Sequence, residues 1–402
     1  MPKPANRIAT VQRYIFGELD EAIAREERSG RTICDLSQSD PSWDPSPSIV
    51  HALRSAAEQP GAHRYPPYDG DMALRRAFAQ WYEGHYEAPC SAEHVLILEG
   101  SKTGIALLPL AYLDPADVGL LPDPGYPTYR AGIALAGAHS VNMPLRAELG
   151  YLPSYADLDQ ERLQRARLMF LNYPHNPTGA VATRPFLEET VEFARGHDIL
   201  IAWDLAYAQV VLQGPKPALA MRPVAGADAL TVEFFTFSKT YDMQGYRLGV
   251  AVANPDLLAP LRKVHENVMA GTFLPIQAAG RAALDPHEDA ALEERLEGYR
   301  RRQTVLLAAL DELGAHVTRP RATVYLWLRA PRDLSGERFA QELLRGAGIA
   351  VTPGSAFGQQ GQAYVRISLS APDEAIEEAA ARLRRFYPQG LAARPQQALQ
   401  PQ

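Results

Sequence analysis

Cysteine is almost absent from this chain: two residues, Cys34 and Cys90, among 402. They stand far apart and make no metal-ligand spacing, so the sequence holds neither a zinc-finger pattern nor a disulfide framework. The pair reads as two buried free thiols in a reducing compartment. Long hydrophobic runs are also missing, and none reaches the length of a membrane span. The stretch from Met1 to Tyr14 is polar and carries no apolar core of the kind a secretory leader needs, which points to the cytoplasm. Basic charge is in deficit: 40 Lys and Arg face 47 Asp and Glu, a net charge of −7. That balance argues against a nucleic-acid polyanion as the main partner. There is no repeat period and no Walker A phosphate loop.

What is present is enough apolar material for a sizeable core: 46% of residues are hydrophobic and 22% charged. A chain of this length predicts two domains, or one large domain with a satellite. The middle of the sequence alternates apolar strands with amphipathic helices. Strands are predicted at Val95 to Leu98, Val118 to Leu121, Leu168 to Leu171, Ile199 to Trp203, Val232 to Phe237 and Leu248 to Val252. Helices are predicted at Thr103 to Leu113 and Phe186 to Arg195. The strands are unbroken apolar runs, which suits a mostly parallel sheet covered on both faces. The C-terminal third instead predicts a long helix at Glu293 to Leu313, strands at Val324 to Leu328 and Val365 to Leu369, and a last helix. That last helix sets Ile376, Ala380, Leu383 and Tyr387 along one packing face.

Five constellations sit near strand ends, where open α/β sheets bind ligands. Thr236-Phe237-Ser238-Lys239-Thr240 puts a lysine directly after an apolar strand. A lysine buried there would be costly unless used, and a deprotonated lysine amine forms Schiff bases with carbonyls. Taken alone, the segment favours a surface lysine at a strand end. Asp204 leaves the apolar strand Ile199 to Trp203 and needs a partner, for which a protonated pyridine nitrogen would serve. Tyr207, three residues on, offers a phenol. Asp204 could otherwise be an acidic helix cap. Asn172-Tyr173-Pro174-His175-Asn176-Pro177-Thr178-Gly179 is a rigid loop that holds the Asn176 amide in a defined place, or simply a structural turn. Its histidine reads as a loop residue. Gly100-Ser101-Lys102-Thr103-Gly104 lies between a strand and a helix, where backbone amides bind phosphate. Tyr246-Arg247-Leu248-Gly249 follows Lys239 closely, and a guanidinium fork suits a phosphate dianion. Separately, Arg366 lies inside the apolar strand Tyr364-Val365-Arg366-Ile367, either in a structural salt bridge or awaiting a substrate carboxylate.

Asn176 to Gly179, Asp204 with Tyr207, and Ser238-Lys239 with Arg247 together resemble the class I/II aminotransferases of pyridoxal 5′-phosphate (PLP) fold type I. The resemblance runs from about Arg7 to Tyr387. It implies an α/β fold with a mostly parallel seven-stranded sheet between helices and a smaller α+β domain. Residues 1–50 would join the small domain, 51–285 form the large PLP-binding domain, and 286–388 form the small domain. Residues 389–402 would be a disordered tail. By resemblance, Lys239 is the Schiff-base lysine and proton shuttle, and Asp204 partners the ring nitrogen. Asn176 and Tyr207 serve the phenolic oxygen, and Ser101, Lys102, Thr236, Ser238 and Arg247 cradle the phosphate. Tyr126 stacks on the ring. Arg366 clamps the substrate α-carboxylate beside Asn176 and Ser39. Tyr65 reaches the phosphate of a neighbouring subunit, which implies a homodimer with shared active sites.

Glu99 to Ile105, Asp123 to Tyr129 and Ser238 to Gly245 look most like the LL-diaminopimelate aminotransferase group and its aspartate or alanine relatives. Two departures stand out: Thr103 replaces a glutamate, and Ser37-Gln38-Ser39-Asp40-Pro41 replaces a Gly-x-Gly-Asp-Pro loop. Ser37 and Ser39 would then crowd or polarise the pocket. The activity implied is ping-pong amino exchange between an L-amino acid and a 2-oxo acid such as 2-oxoglutarate, within amino-acid metabolism, with PLP as cofactor and no metal. A PLP lyase or oxidase on the same fold, and a non-enzymatic PLP-binding sensor, are the competing readings.

Overall fold

A computed structural model of the chain describes residues 2–11, 15–214, 220–331, 333–388 and 391. Its largest element is a seven-stranded sheet. The strand order is Val95–Leu98, Gly249–Val252, Thr231–Thr236, Leu200–Asp204, Ala166–Asn172, Val118–Asp123 and His139–Pro144. Every neighbouring pair is parallel except the two made by Gly249–Val252, which runs antiparallel to both its partners.

The apolar runs have a direct physical cause. Side chains alternate across a strand, and here both faces are covered. Ile97, Met169, Leu171, Ile201, Trp203 and Val250 pack into one core. Their sequence neighbours Leu96, Leu168, Phe170, Leu200, Ala202 and Ala251 pack into another on the opposite face. The helix Ser101–Tyr112 lies close against this second face because residue 104 is glycine. A Cβ there would fall 2.5 Å from Leu98 Cδ1 and 2.6 Å from Phe234 Cε1.

A second body of apolar packing surrounds an antiparallel four-stranded sheet, in the order Thr352–Pro353, Tyr364–Ser368, Tyr325–Arg329, Val317–Thr318. The helices Glu288–Glu312 and Asp373–Phe386 cover it. Ile376, Ala380, Leu383 and Tyr387 are buried along the last helix and just past it. The N-terminal segment joins this body: Cys34–Asp35 pairs in parallel with Ile349–Ala350, and Ser368 N donates to Leu36 O at 2.8 Å.

Some sequence expectations shift. Phe237 does not end a strand but opens the short helix Phe237–Thr240. The Thr236 hydroxyl accepts from Ser238 N at 3.2 Å and turns the chain there. The strand His139–Pro144 was not predicted, because it is an edge strand with mixed, half-exposed residues. Both cysteines are free, but only Cys34 is buried; Cys90 is half-buried. The predicted tail, 389–402, lies outside the described residues apart from Leu391, which is buried and donates to Leu313 O at 2.8 Å. Among the described residues, no helix is long and apolar enough to cross a membrane.

Candidate active site

A cavity of about 580 Å³ opens beyond the carboxyl ends of the sheet strands and is closed by the antiparallel body. The cofactor and substrate residues expected from sequence line it except Tyr65, and of the loop serines Ser37 does not. The sheet side supplies the strand ends Asn172, Asp204 and Thr236 and the start of the helix after Gly100. The facing wall supplies Tyr325, Phe357 and Arg366, and the loop Gln38-Ser39-Asp40 closes one edge.

Lys239 sits in the short helix after Thr236. Its Nζ donates to Ser39 O at 2.7 Å and to Ser39 Oγ at 3.2 Å. The side chain is half-buried, with its amine enclosed by protein, and that burial pushes the amine below the ordinary lysine range.

Asp204 is buried at the end of its strand. Tyr129 donates to its Oδ2 at 2.7 Å and Ala206 N to its Oδ1 at 3.1 Å. Burial pushes the carboxyl up to about 6, against the opposing pull of those two hydrogen bonds. Both donors are neutral, so a cation set against Asp204 would hold it ionised. Asn172 braces the same edge: its Nδ2 donates to Asp204 O at 2.7 Å, and its Oδ1 accepts from Asn176 N at 2.9 Å.

The opposite end of the cavity has the donor set of an anion cradle. Gly100 has φ +89°, and a Cβ there would fall 2.5 Å from Arg247 Nη2. The helix Ser101–Tyr112 begins with no side-chain cap hydrogen bond, so no side chain of its own occupies its N-terminus. The hydroxyls of Thr236 and Ser238 lie 3.0 Å apart. Arg247 is held by Nη1 donating to Gln244 O at 2.9 Å. The reversed strand Gly249–Val252 starts beside the end of Thr231–Thr236, which brings Arg247 to the same edge as Lys239.

Arg366 is buried in the centre of the facing wall. It donates from Nη1 to Asn176 Oδ1 at 3.1 Å and from Nη2 to Ser37 O at 2.8 Å. Its guanidinium lies 4.1 Å from the ring centre of Tyr325 and 4.9 Å from that of Phe357. Tyr207 hydrogen-bonds Tyr325 through their hydroxyls. Tyr126 lines the cavity and meets Tyr129 edge-on at 5.6 Å.

These residues fit PLP on three grounds: an enclosed amine, a buried carboxylate held by neutral donors alone, and an anion cradle kept open by a glycine. Among the described residues, no cluster of three or more His, Cys, Asp or Glu could hold a metal ion. Tyr65 is 89% exposed and stands away from this chain's own cavity. Ser37 corrects the sequence reading. Its hydroxyl donates to Asp35 Oδ1 at 2.6 Å, and only its carbonyl acts on the site, through Arg366. Of the two loop serines, Ser39 alone lines the cavity. His175 is buried in its loop, 2.7 Å from Thr178 Oγ1, and burial pushes its imidazolium down to about 3.

Sequence reasoning missed Tyr129, Asn172 and Tyr325. Tyr129 follows Tyr126 at the spacing that brings both to one side of the helix Pro127–Leu135. Asn172 had the same strand-end position that marked Asp204. Tyr325 carried no signal that separates it from a core aromatic.

The family described as aminotransferase class I and II matches residues 31–383. An LL-diaminopimelate aminotransferase of Moorella thermoacetica is 39% identical over 95% of this chain and 97% of its own length. One from Aquifex aeolicus is 37% identical over 94% of this chain and 98% of its own. Among solved structures, substrate-bound BacF from Bacillus subtilis superposes with a TM-score of 0.92 at 34% identity, over 96% of this chain and 98% of BacF. A double mutant of Thermus thermophilus aspartate aminotransferase gives a TM-score of 0.88 at 26% identity, over 96% of this chain and 100% of that one.

Proposed function

The chain belongs to the PLP-dependent class I and II aminotransferases, and from that premise we propose that it moves the amino group of LL-diaminopimelate, aspartate or a similar L-amino acid to a 2-oxo acid such as 2-oxoglutarate. The observation that carries this reading is the meeting of Lys239 and Asp204 in one cavity that also holds Arg366. The Moorella and Aquifex relatives, named for LL-diaminopimelate, support the choice of donor.

When bound, PLP supplies a carbonyl carbon that takes up amines and a cationic ring that draws electron density from the donor's α-carbon. Lys239 Nζ, its basicity lowered by burial, takes the α-proton and returns it, acting as base and then acid. Asp204 holds the proton on the ring nitrogen. Tyr207 and the Asn176 amide donate to the phenolic oxygen. Ser101, Lys102, Thr236, Ser238 and Arg247 hold the phosphate, and Tyr126 covers the ring. Arg366 offers its fork to the α-carboxylate, beside Asn176 and Ser39.

The same reading makes the protein a cytoplasmic homodimer in which each subunit's exposed Tyr65 completes its partner's phosphate site. The two unpaired cysteines support a reducing compartment. It also divides the chain into a large domain, 51–285, and a small one formed by 286–388 with the N-terminal segment. A panel of amino donors incubated with 2-oxoglutarate tests the function. Glutamate formed in step with loss of LL-diaminopimelate or aspartate is expected, and Lys239→Ala should abolish it. Ammonia release without glutamate would overturn the reading.

A further inference from the structure

We propose that Tyr325 is a positioning residue for transamination: its hydroxyl donates to Tyr207 Oη, and its ring seats the guanidinium of Arg366. The inference rests on the reading above, in which Tyr207 faces the cofactor and Arg366 the substrate.

The contact is built into the fold. Tyr325 is fully buried and opens the strand Tyr325–Arg329. It pairs with Ser368, which places it diagonally across from Arg366 on the same face of the sheet. That register brings the guanidinium to 4.1 Å from the ring centre. Tyr207 comes from the turn after Asp204, which ends a strand of the seven-stranded sheet, and its ring packs into the second body. The segments carrying the two tyrosines are joined by backbone hydrogen bonds: Thr323 N donates to Val210 O at 2.9 Å, and Leu212 N to Arg321 O at 2.8 Å. The two rings meet at 5.4 Å and 73°.

Each phenol has one proton, and the shared hydrogen bond uses one of the two. A cation over the ring of Tyr325 draws density from it and makes its O–H the better donor. Tyr325 therefore gives its proton to Tyr207 Oη, and Tyr207 keeps its own for the cavity. Lys239, Arg366 and Tyr126 face this pair from the cavity side, and Tyr299 faces Tyr325 from the helix behind it. Burial holds the Tyr207 phenol far above its ordinary range, so it acts as a neutral donor. One side chain thus orients both the donor to the cofactor's phenolic oxygen and the clamp for the substrate's carboxylate.

The test compares Tyr325→Phe, Tyr325→Leu, Tyr207→Phe and the double phenylalanine variant as holoenzymes. The pH midpoint of the bound cofactor's absorbance change is read alongside kcat and KM. Tyr325→Phe keeps the ring and loses the hydroxyl. Its midpoint should rise by about half a unit to one unit, the scale of one hydrogen bond, while KM for the amino donor stays within about twofold. Tyr325→Leu should also raise KM, because the seat of Arg366 is gone. The double variant should shift no further than Tyr207→Phe alone, since the two hydroxyls act in series. If Tyr207→Phe moves the midpoint and Tyr325→Phe does not, or if the two shifts add, the inference fails. If Tyr207→Phe itself leaves the midpoint in place, the reading of Tyr207 fails and takes the inference with it.

Discussion

Tyr129 donates its phenolic proton to Asp204 Oδ2 across 2.7 Å, and both side chains are buried. Phe170 stacks on the Tyr129 ring at 4.8 Å and 12°, which fixes the phenol in that line. The hydrogen bond favours the ionised carboxylate, the form that the proposed contact with a cationic ring nitrogen needs.

Removing that donor should weaken cofactor binding. Tyr129→Phe takes away one hydrogen bond to a charged group, about 1.5 kcal/mol, so PLP affinity should fall about tenfold. The Asp204 carboxyl should move further up, and the acid limb of binding should move to higher pH with it. Fluorescence titration with PLP from pH 5.5 to 8 measures both. Wild-type affinity across that range would show that Asp204 does not depend on Tyr129.

Asp204 also predicts how the cofactor-free protein responds to pH. Its carboxyl in the fold is raised to about 6, above the ordinary 3.8. A raised carboxyl contributes stability that is fully present below the unfolded value and is lost as pH rises through the folded one. Between about pH 4 and 7 the cofactor-free wild type should therefore lose about 3 kcal/mol relative to Asp204→Asn. Urea unfolding of both proteins across that window tests this. Parallel stability curves would show that Asp204 titrates normally.

Gly100→Ala should damage the anion cradle while sparing the rest of the site. The added Cβ would sit 2.5 Å from Arg247 Nη2, on a backbone with φ +89° and ψ 154° that costs a side chain about 1–3 kcal/mol. Affinity for PLP should fall at least tenfold. Affinity for pyridoxal, which has no phosphate, should change much less. An equal loss for both would place the damage elsewhere.

Arg366→Lys should act on the substrate. Lysine keeps the charge but loses the fork that reaches Asn176 Oδ1 and Ser37 O, and the flat face that lies over Tyr325. KM for the amino donor should rise about thirtyfold, on the order of 2 kcal/mol, with kcat less affected. Steady-state kinetics with donors that carry or lack an α-carboxylate separate clamp loss from general damage. Only the former class should suffer.

The strand-end residues were legible because polarity breaks an apolar run at a single point. Asp204 follows Trp203 and Lys239 follows Phe237 by two positions, so the sequence itself marks where the buried sheet opens to the cavity. Tyr325 was illegible for the converse reason. It lies inside an apolar strand, looks like any core aromatic, and meets Tyr207 across 118 positions of chain. Ser37 was misjudged because its orientation depends on a neighbour: Asp35 captures its hydroxyl and turns it from the cavity. The strand His139–Pro144 carried too few buried positions to show a period.

The reversed strand Gly249–Val252 has a consequence for assembly. Had it run parallel to Thr231–Thr236, a crossover of a dozen or more residues would separate the two, and the residues before it would emerge at the far edge of the sheet. Instead Lys239 and Arg247 reach one edge with only the turn from Thr240 to Tyr246 between them. Closing so short a stretch has little entropic cost compared with the contact to Arg366. Lys239 and Arg247 are thus a local unit that can form early in folding, while Arg366 arrives from the end of the chain.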